Sequence, residues 1–125
     1  MIVGVGIDIL ETGRMARELA RDGGGLRDSV FTADEIADGE RSARPAAHLT
    51  ACFAAKEALI RAFGGIRERD VSWHDLEVRY RPDGTPKVVL HGAAERLAGR
   101  LGVKHIRLTI STGEEMATAV VILES

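Results

Sequence analysis

Cysteine is almost missing from this chain of 125 residues, which carries only Cys52. A lone cysteine closes no internal disulfide and builds no multi-cysteine metal centre, which points to a reducing compartment. Aromatic residues are scarce as well, at 4%. That excludes the stacking platforms of single-strand nucleic-acid binders. Neither sign of charge dominates, because seventeen Lys and Arg face nineteen Asp and Glu for a formal net charge of −2. No overall basic footprint marks nucleic acid as a partner. Long hydrophobic runs are absent too, with nothing near the ~18 apolar residues of a membrane span. The opening Met1-Ile2-Val3-Gly4-Val5-Gly6-Ile7-Asp8 shows no basic leader. The expectation is a cytoplasmic protein that works on neither nucleic acid nor membrane.

What is present is an ordinary globular composition, 45% apolar and 29% charged. The length suits one domain over residues 1–125 and needs no structural staple. Residues 2–10 read as a strand with Val3, Val5, Ile7 and Ile9 on one face. Gly4, Gly6 and Asp8 share the other, which leaves room for something to approach. Residues 11–22 are predicted to be a helix ending at Gly23-Gly24-Gly25, a surface loop. Thr32-Ala33-Asp34-Glu35 has capping-box spacing and should open a second helix. A third, long helix is predicted from Pro45 to Phe63, closed by Gly64-Gly65. Residues 76–80 and 87–90 form a hairpin around Pro82-Asp83-Gly84-Thr85-Pro86. A short helix at 93–101 and a second hairpin, 106–111 with 118–123, complete the chain. The fold class expected is α+β, a mostly antiparallel sheet packed on one long helix.

The chemistry concentrates in Phe53-Ala54-Ala55-Lys56-Glu57-Ala58-Leu59-Ile60-Arg61-Ala62-Phe63-Gly64. On a helix, Phe53, Glu57, Ile60 and Arg61 fall close to one face. Taken alone, Glu57 and Arg61 form an exposed i,i+4 ion pair, worth a few tenths of a kcal/mol. The second carboxylate, Asp8 on the open strand face, changes that reading. Two carboxylates with a cation nearby suit Mg²⁺, which prefers hard oxygens and takes one or two carboxylates plus substrate phosphates. Arg61 would face the same phosphates with its planar fork. Spacing permits Asp8 and Glu57 to meet without requiring it.

The opening Val3-Gly4-Val5-Gly6-Ile7-Asp8-Ile9, the Phe53–Ala58 block and the Gly84-x-Pro86 turn resemble the holo-acyl-carrier-protein synthases. These are small 4'-phosphopantetheinyl transferases, and the likeness covers nearly the whole chain. It implies transfer of 4'-phosphopantetheine from coenzyme A to a serine of acyl carrier protein, releasing 3',5'-ADP. Asp8 and Glu57 would hold Mg²⁺ on the pyrophosphate, with Arg61 beside them. The serine proton would go to a metal-associated water or to Glu57. The coenzyme A contacts implied are Arg44, Arg61, Gly64, Gly65, Gly84, Pro86, Ser111 and Thr112. Family members are trimers with the site between subunits, so a homotrimer is expected, and Asp8 and Glu57 could pair across chains. Arg14, Arg17 and Arg21, spaced along one helix face, match the family's basic helix that docks the carrier protein, although Glu11, Glu18 and Asp22 interleave with them.

Four positions depart from the family pattern. Cys52 stands where relatives carry arginine, Arg61 where they carry lysine, and Gly64-Gly65 replaces Gly-Thr-Gly. Ser111-Thr112-Gly113 replaces Ser-His-Thr, so a histidine at the nucleotide end is gone. Arg44 is the natural compensator, with Arg107 and His105 weaker candidates. Two readings follow: a working transferase with an altered grip on coenzyme A, or a relative that binds carrier protein without transfer, as a partner protein or on a tethered acyl chain. The histidines His48, His74, His91 and His105 lack ligand spacing and read as surface or packing residues. Trp73 and Tyr80 read as core or interface residues, and Cys52 as a small buried helix residue.

Overall fold

The alternate glycines of the first strand decide how the molecule is built. In the computed structural model, which describes residues 1–67 and 69–125, strand β1 runs from Ile2 to Glu11 and helix α4 from Pro45 to Ala62. A Cβ built on Gly4 would lie 1.9 Å from the Ala62 carbonyl oxygen, and one on Gly6 would lie 1.9 Å from that of Ala58. What fills the open face of β1 is therefore the helix backbone itself. With no side chains between them, strand and helix approach far more closely than side-chain packing allows.

β1 pairs antiparallel with β5 (Met116–Glu124), which pairs in turn with β4 (His105–Thr112), giving the order β1-β5-β4. On the inner face, β5 presents Ala117, Ala119, Val121 and Leu123, all buried against α4 and its neighbours. Strands β2 (Leu76–Tyr80) and β3 (Pro86–Leu90) form a separate two-stranded antiparallel sheet. Both expected hairpins are present, and the α+β class holds. Between the two sheets in the chain, β3 ends at Leu90 and helix α5 (Gly92–Arg100) precedes β4.

The first helix, α1, is shorter than predicted, Thr12–Ala20, and passes into a 3-10 turn over Arg21–Gly24. The glycine triplet is not a surface loop. Gly23 and Gly24 adopt positive φ inside that turn, Gly24 is buried, and Gly25 opens an unforeseen helix, α2 (Gly25–Val30). α3 (Ala33–Arg41) starts on the expected capping box, with Thr32 Oγ1 accepting from the Glu35 amide at 3.1 Å. The side chain of Asp22, expected among the α1 arginines, lies outside the described residues.

α4 is buried on most of its circumference, and its buried set includes a lysine. Lys56 is 0% exposed and sits 2.7 Å from Glu35, itself 1% exposed. Lys56 also donates to the carbonyls of Val30 (2.8 Å) and Trp73 (3.1 Å), so its three donors are used. Glu35 accepts from the backbone N–H of Thr32 and of Val78, both at 2.8 Å, and from the Cys52 thiol at 3.2 Å. A buried ion pair is tolerable only when its remaining hydrogen-bonding capacity is met, as it is here. Cys52 is thus a structural thiol in the core; burial, then the Glu35 charge, pushes its pKa well up.

The opposite face of the three-stranded sheet is bare. Val3, Val5, Ile7 and Ile9 are 41%, 57%, 52% and 54% exposed, and across the strand Ile7 lies opposite Val120 and Val5 opposite Ile122.

Gly6→Ala tests the strand–helix contact. Its Cβ meets backbone, which no rotamer change relieves, so stability should fall by roughly 1–3 kcal/mol, the usual cost of overpacking, in urea unfolding. An unchanged midpoint would show that β1 and α4 have room to spare.

Candidate active site

The close approach of β1 to α4 places the two predicted carboxylates side by side in one chain. Asp8 sits two residues after Gly6, on the same inner face, and is 5% exposed. Glu57 lies one helical turn before Arg61 on the flank of α4 left partly open to solvent. The pairing across chains that the resemblance allowed is not needed to bring Asp8 to Glu57, whose side chains interact within this chain. The simple i,i+4 pair is replaced as well. Arg61 turns to the strand, where NH1 stands 3.2 Å from Asp8 Oδ1 and donates to the Ile7 carbonyl at 2.9 Å.

Two acidic groups in contact cannot both stay ionised cheaply. Burial first, then the hydrogen bond to Asp8 and the Asp8 charge, raises Glu57 to about 7, with Arg61 pulling the other way. The second Asp8 oxygen, Oδ2, is buried and finds no donor. A protonated Glu57 would supply one, and so would a cation. Two adjoining oxygen-rich groups, one with a buried unpartnered atom, fit the donor set of Mg²⁺, which completes its shell with water and phosphate. Among the described residues no cluster of three or more His, Cys, Asp or Glu offers an alternative metal centre.

Beside Glu57 opens a cavity of about 510 Å³ lined by Arg14, Met15, Leu26, Phe53 and Met116. Arg14 and Arg17 are exposed on α1, and neither forms an ion pair among the described residues. Arg21, by contrast, is paired with Glu18 at 3.2 Å and lines neither cavity described here. A second cavity, about 400 Å³, is lined by Arg44, His48, Tyr80, Gly84, Pro86 and Thr112. Four of those six are predicted coenzyme A contacts. Arg44 also donates to the Glu114 carbonyl at 3.2 Å.

Other expected contacts fall elsewhere. Ser111 alternates to the exposed face of β4, while Ile110 and Thr112 line the second cavity. Gly64 and Gly65 have φ of 78° and 92° and close α4 by donating to the carbonyls of Arg61 and Ile60. They line neither of these two cavities, and they end the helix. Arg107 is engaged by Glu124 at 2.7 Å and His105 lies on the exposed face of β4; neither lines the cavity that holds Arg44. Position 52 faces Glu35 in the core, away from the carboxylate pair. His74 and His91 are held by the Asp28 carbonyl and by Glu77.

Sequence reasoning read His48 as a surface or packing residue and Tyr80 as core or interface, yet their ring centres lie 5.3 Å apart in the second cavity. The helical spacing of His48 from Arg44, four residues, was the available signal. Burial holds the His48 imidazole below its usual range, against the pull of Asp38 and Glu35. The ring is therefore mainly neutral at pH 7 and hydrogen-bonds rather than attracts anions. Trp73, as expected, is a packing residue, edge-on to Phe53 at 5.3 Å.

Because the folded chain holds the Glu57 proton more tightly than the unfolded one, its contribution to stability is full below about 4.5 and lost as pH rises through about 7. A cation held by Glu57 would have to displace that proton. Calorimetry should find Mg²⁺ affinity rising about tenfold per pH unit below pH 7 and levelling above it. A flat profile from pH 6 to 8 would contradict the raised Glu57.

A family model, the 4'-phosphopantetheinyl transferase superfamily, matches residues 4–121. The chain is 40% identical over 124 residues to the holo-[acyl-carrier-protein] synthase of Koribacter versatilis, covering 99% of both chains. It is 43% identical to that of Leifsonia xyli, covering 99% of this chain and 98% of the relative. Among solved structures, the Neisseria meningitidis synthase superposes with a TM-score of 0.92 at 26% identity over the whole of both chains. The Bacillus anthracis synthase, solved in complex with CoA (3',5'-ADP), gives 0.80 at 31% identity, covering 100% of this chain and 98% of that one. The carboxylate pair thus sits in a chain that belongs to the 4'-phosphopantetheinyl transferase superfamily and, within it, to the holo-acyl-carrier-protein synthases.

Proposed function

We propose that this chain, as one domain, transfers 4'-phosphopantetheine from coenzyme A to a serine of an apo acyl carrier protein, in a Mg²⁺-dependent reaction. The observation that carries the proposal is the buried Asp8 carboxylate, with its unpartnered Oδ2 and with Arg61 at 3.2 Å, beside Glu57. The serine oxygen forms the new bond to the β-phosphorus of coenzyme A, the pyrophosphate P–O bond breaks, and 3',5'-ADP leaves. Asp8 and Glu57 would hold Mg²⁺, which supplies Lewis-acid stabilisation of the charge building on the phosphates. Arg61 is 60% exposed and near enough to offer its planar donors to the same phosphates. A metal-associated water or Glu57 itself would receive the serine proton.

The cavity of Arg44, His48, Tyr80, Gly84, Pro86 and Thr112 is suited to the nucleotide end of coenzyme A. Its rings offer a face for a purine, and Arg44 offers a cation for phosphate. Arg14, which lines the cavity beside Glu57, and Arg17 on the same helix are exposed, form no ion pair among the described residues, and suit an acidic carrier protein. The bare sheet face of Val3, Val5, Ile7 and Ile9 supports association into a homotrimer. Light scattering should accordingly read three chains per particle; a monomer with full transfer activity would remove that interface from the account.

Intact-protein mass spectrometry of apo carrier protein with the chain, coenzyme A and Mg²⁺ should show the gain of one phosphopantetheinyl group. Asp8→Ala and Glu57→Ala should each lower kcat/KM by roughly 10²–10³-fold, the several kcal/mol of charge stabilisation a metal contributes. Near-normal turnover in either would overturn the metal assignment. In the same assay, Arg14→Glu with Arg17→Glu should raise KM for carrier protein more than for coenzyme A. No gain with several carriers, from a folded wild-type chain, would instead favour a carrier-binding relative without transfer.

A further inference from the structure

We propose that Arg61 is an internal counter-ion for Asp8 that must be exchanged for a divalent cation, so that metal and pyrophosphate bind cooperatively through it. The inference rests on reading Asp8 and Glu57 as the metal carboxylates.

Asp8 is 5% exposed, and a carboxylate that far from water needs a partner charge or donor. Among the described residues, Arg61 is the cation in ion-pair contact with it. The contact is made through NH1 alone, at 3.2 Å, and not through the two-nitrogen fork that makes arginine–carboxylate pairs strong. The same nitrogen donates to the Ile7 carbonyl at 2.9 Å, which parks the guanidinium on the edge of β1. The arginine side chain as a whole is 60% exposed. It can therefore swing away without any core side chain moving. Asp8 needs a partner, and Arg61 holds the pairing loosely.

A divalent cation held at Asp8 would lie against the guanidinium paired with Oδ1 and repel it. Its apparent affinity is then reduced by the fraction of molecules in which Arg61 covers Asp8. The pyrophosphate that accompanies the metal is the anion to which Arg61 can turn. Once it has turned, the competition ends. By linkage, coenzyme A tightens metal binding, and metal tightens coenzyme A binding by the same factor. The arrangement keeps the site closed to a bare cation and opens it to the cation–pyrophosphate pair.

The test uses Mn²⁺ as a spin probe, with free Mn²⁺ read by electron paramagnetic resonance on the full chain, without carrier protein. Wild type, Arg61→Gln and Asp8→Asn are compared with and without saturating coenzyme A. Without coenzyme A, Arg61→Gln should bind Mn²⁺ about fivefold more tightly than wild type, the scale of one partly exposed ion pair. With coenzyme A the two should agree within about twofold. Equal affinities without coenzyme A would overturn the proposal. So would the same gain in both states, which is the signature of a through-space charge effect. Asp8→Asn separates the two levels of the argument. If it leaves wild-type Mn²⁺ affinity unchanged, the metal reading fails and the exchange with it. If it abolishes binding while Arg61→Gln changes nothing, the exchange alone fails.

Discussion

The contact on which this structure depends is one of backbone against backbone. Gly4 and Gly6 let β1 lie directly on the carbonyls of Ala62 and Ala58, closer than any Cβ would permit. That approach carries Asp8, two residues further along the same face, to the flank of α4. The fold and the site thus share one cause. A residue with a side chain at position 6 would lift the strand from the helix and separate the two carboxylates together.

Holding the strand near the helix is not enough, because α4 must also be turned to the right angle. The Lys56–Glu35 cluster meets that need. Lys56 immediately precedes Glu57, and its ammonium is tied at once to α3 through Glu35 and to the carbonyls of Val30 and Trp73. Glu35 extends the tie to β2 through Val78. With Lys56 locked inward, the next residue is delivered about 100° round the helix, toward Asp8. A paired buried charge specifies orientation as well as stability here, and the adjoining Glu57 puts that orientation to use.

Much of this was legible in the residues. The alternation of glycine and branched residues in β1 marked the face that Asp8 shares, and the capping box at Thr32 opened α3 where expected. The long helix and both hairpins fell within a few residues of their predicted bounds. What stayed hidden involved long-range partners. Lysine is seldom buried, so nothing local marked Lys56 as core, and Cys52 could not be seen to answer Glu35. The glycine triplet read as loop chemistry, yet packing draws Gly24 inward and Gly25 into α2. Arg61 appeared paired to Glu57 by helical spacing, because spacing along one helix cannot register a strand lying across it. That Ser111 and Thr112 take opposite faces of β4 was legible in strand alternation.

Whether Asp8 and Glu57 are one metal site in one chain is the claim from which the rest follows. Crystals grown with Mn²⁺ and coenzyme A, measured at a wavelength where manganese scatters anomalously, test it directly. The account predicts one anomalous peak per chain, bridging the Asp8 and Glu57 carboxylates, with Arg61 turned away from Asp8. A peak held by other residues, or none while Arg61 remains on Asp8, would contradict it.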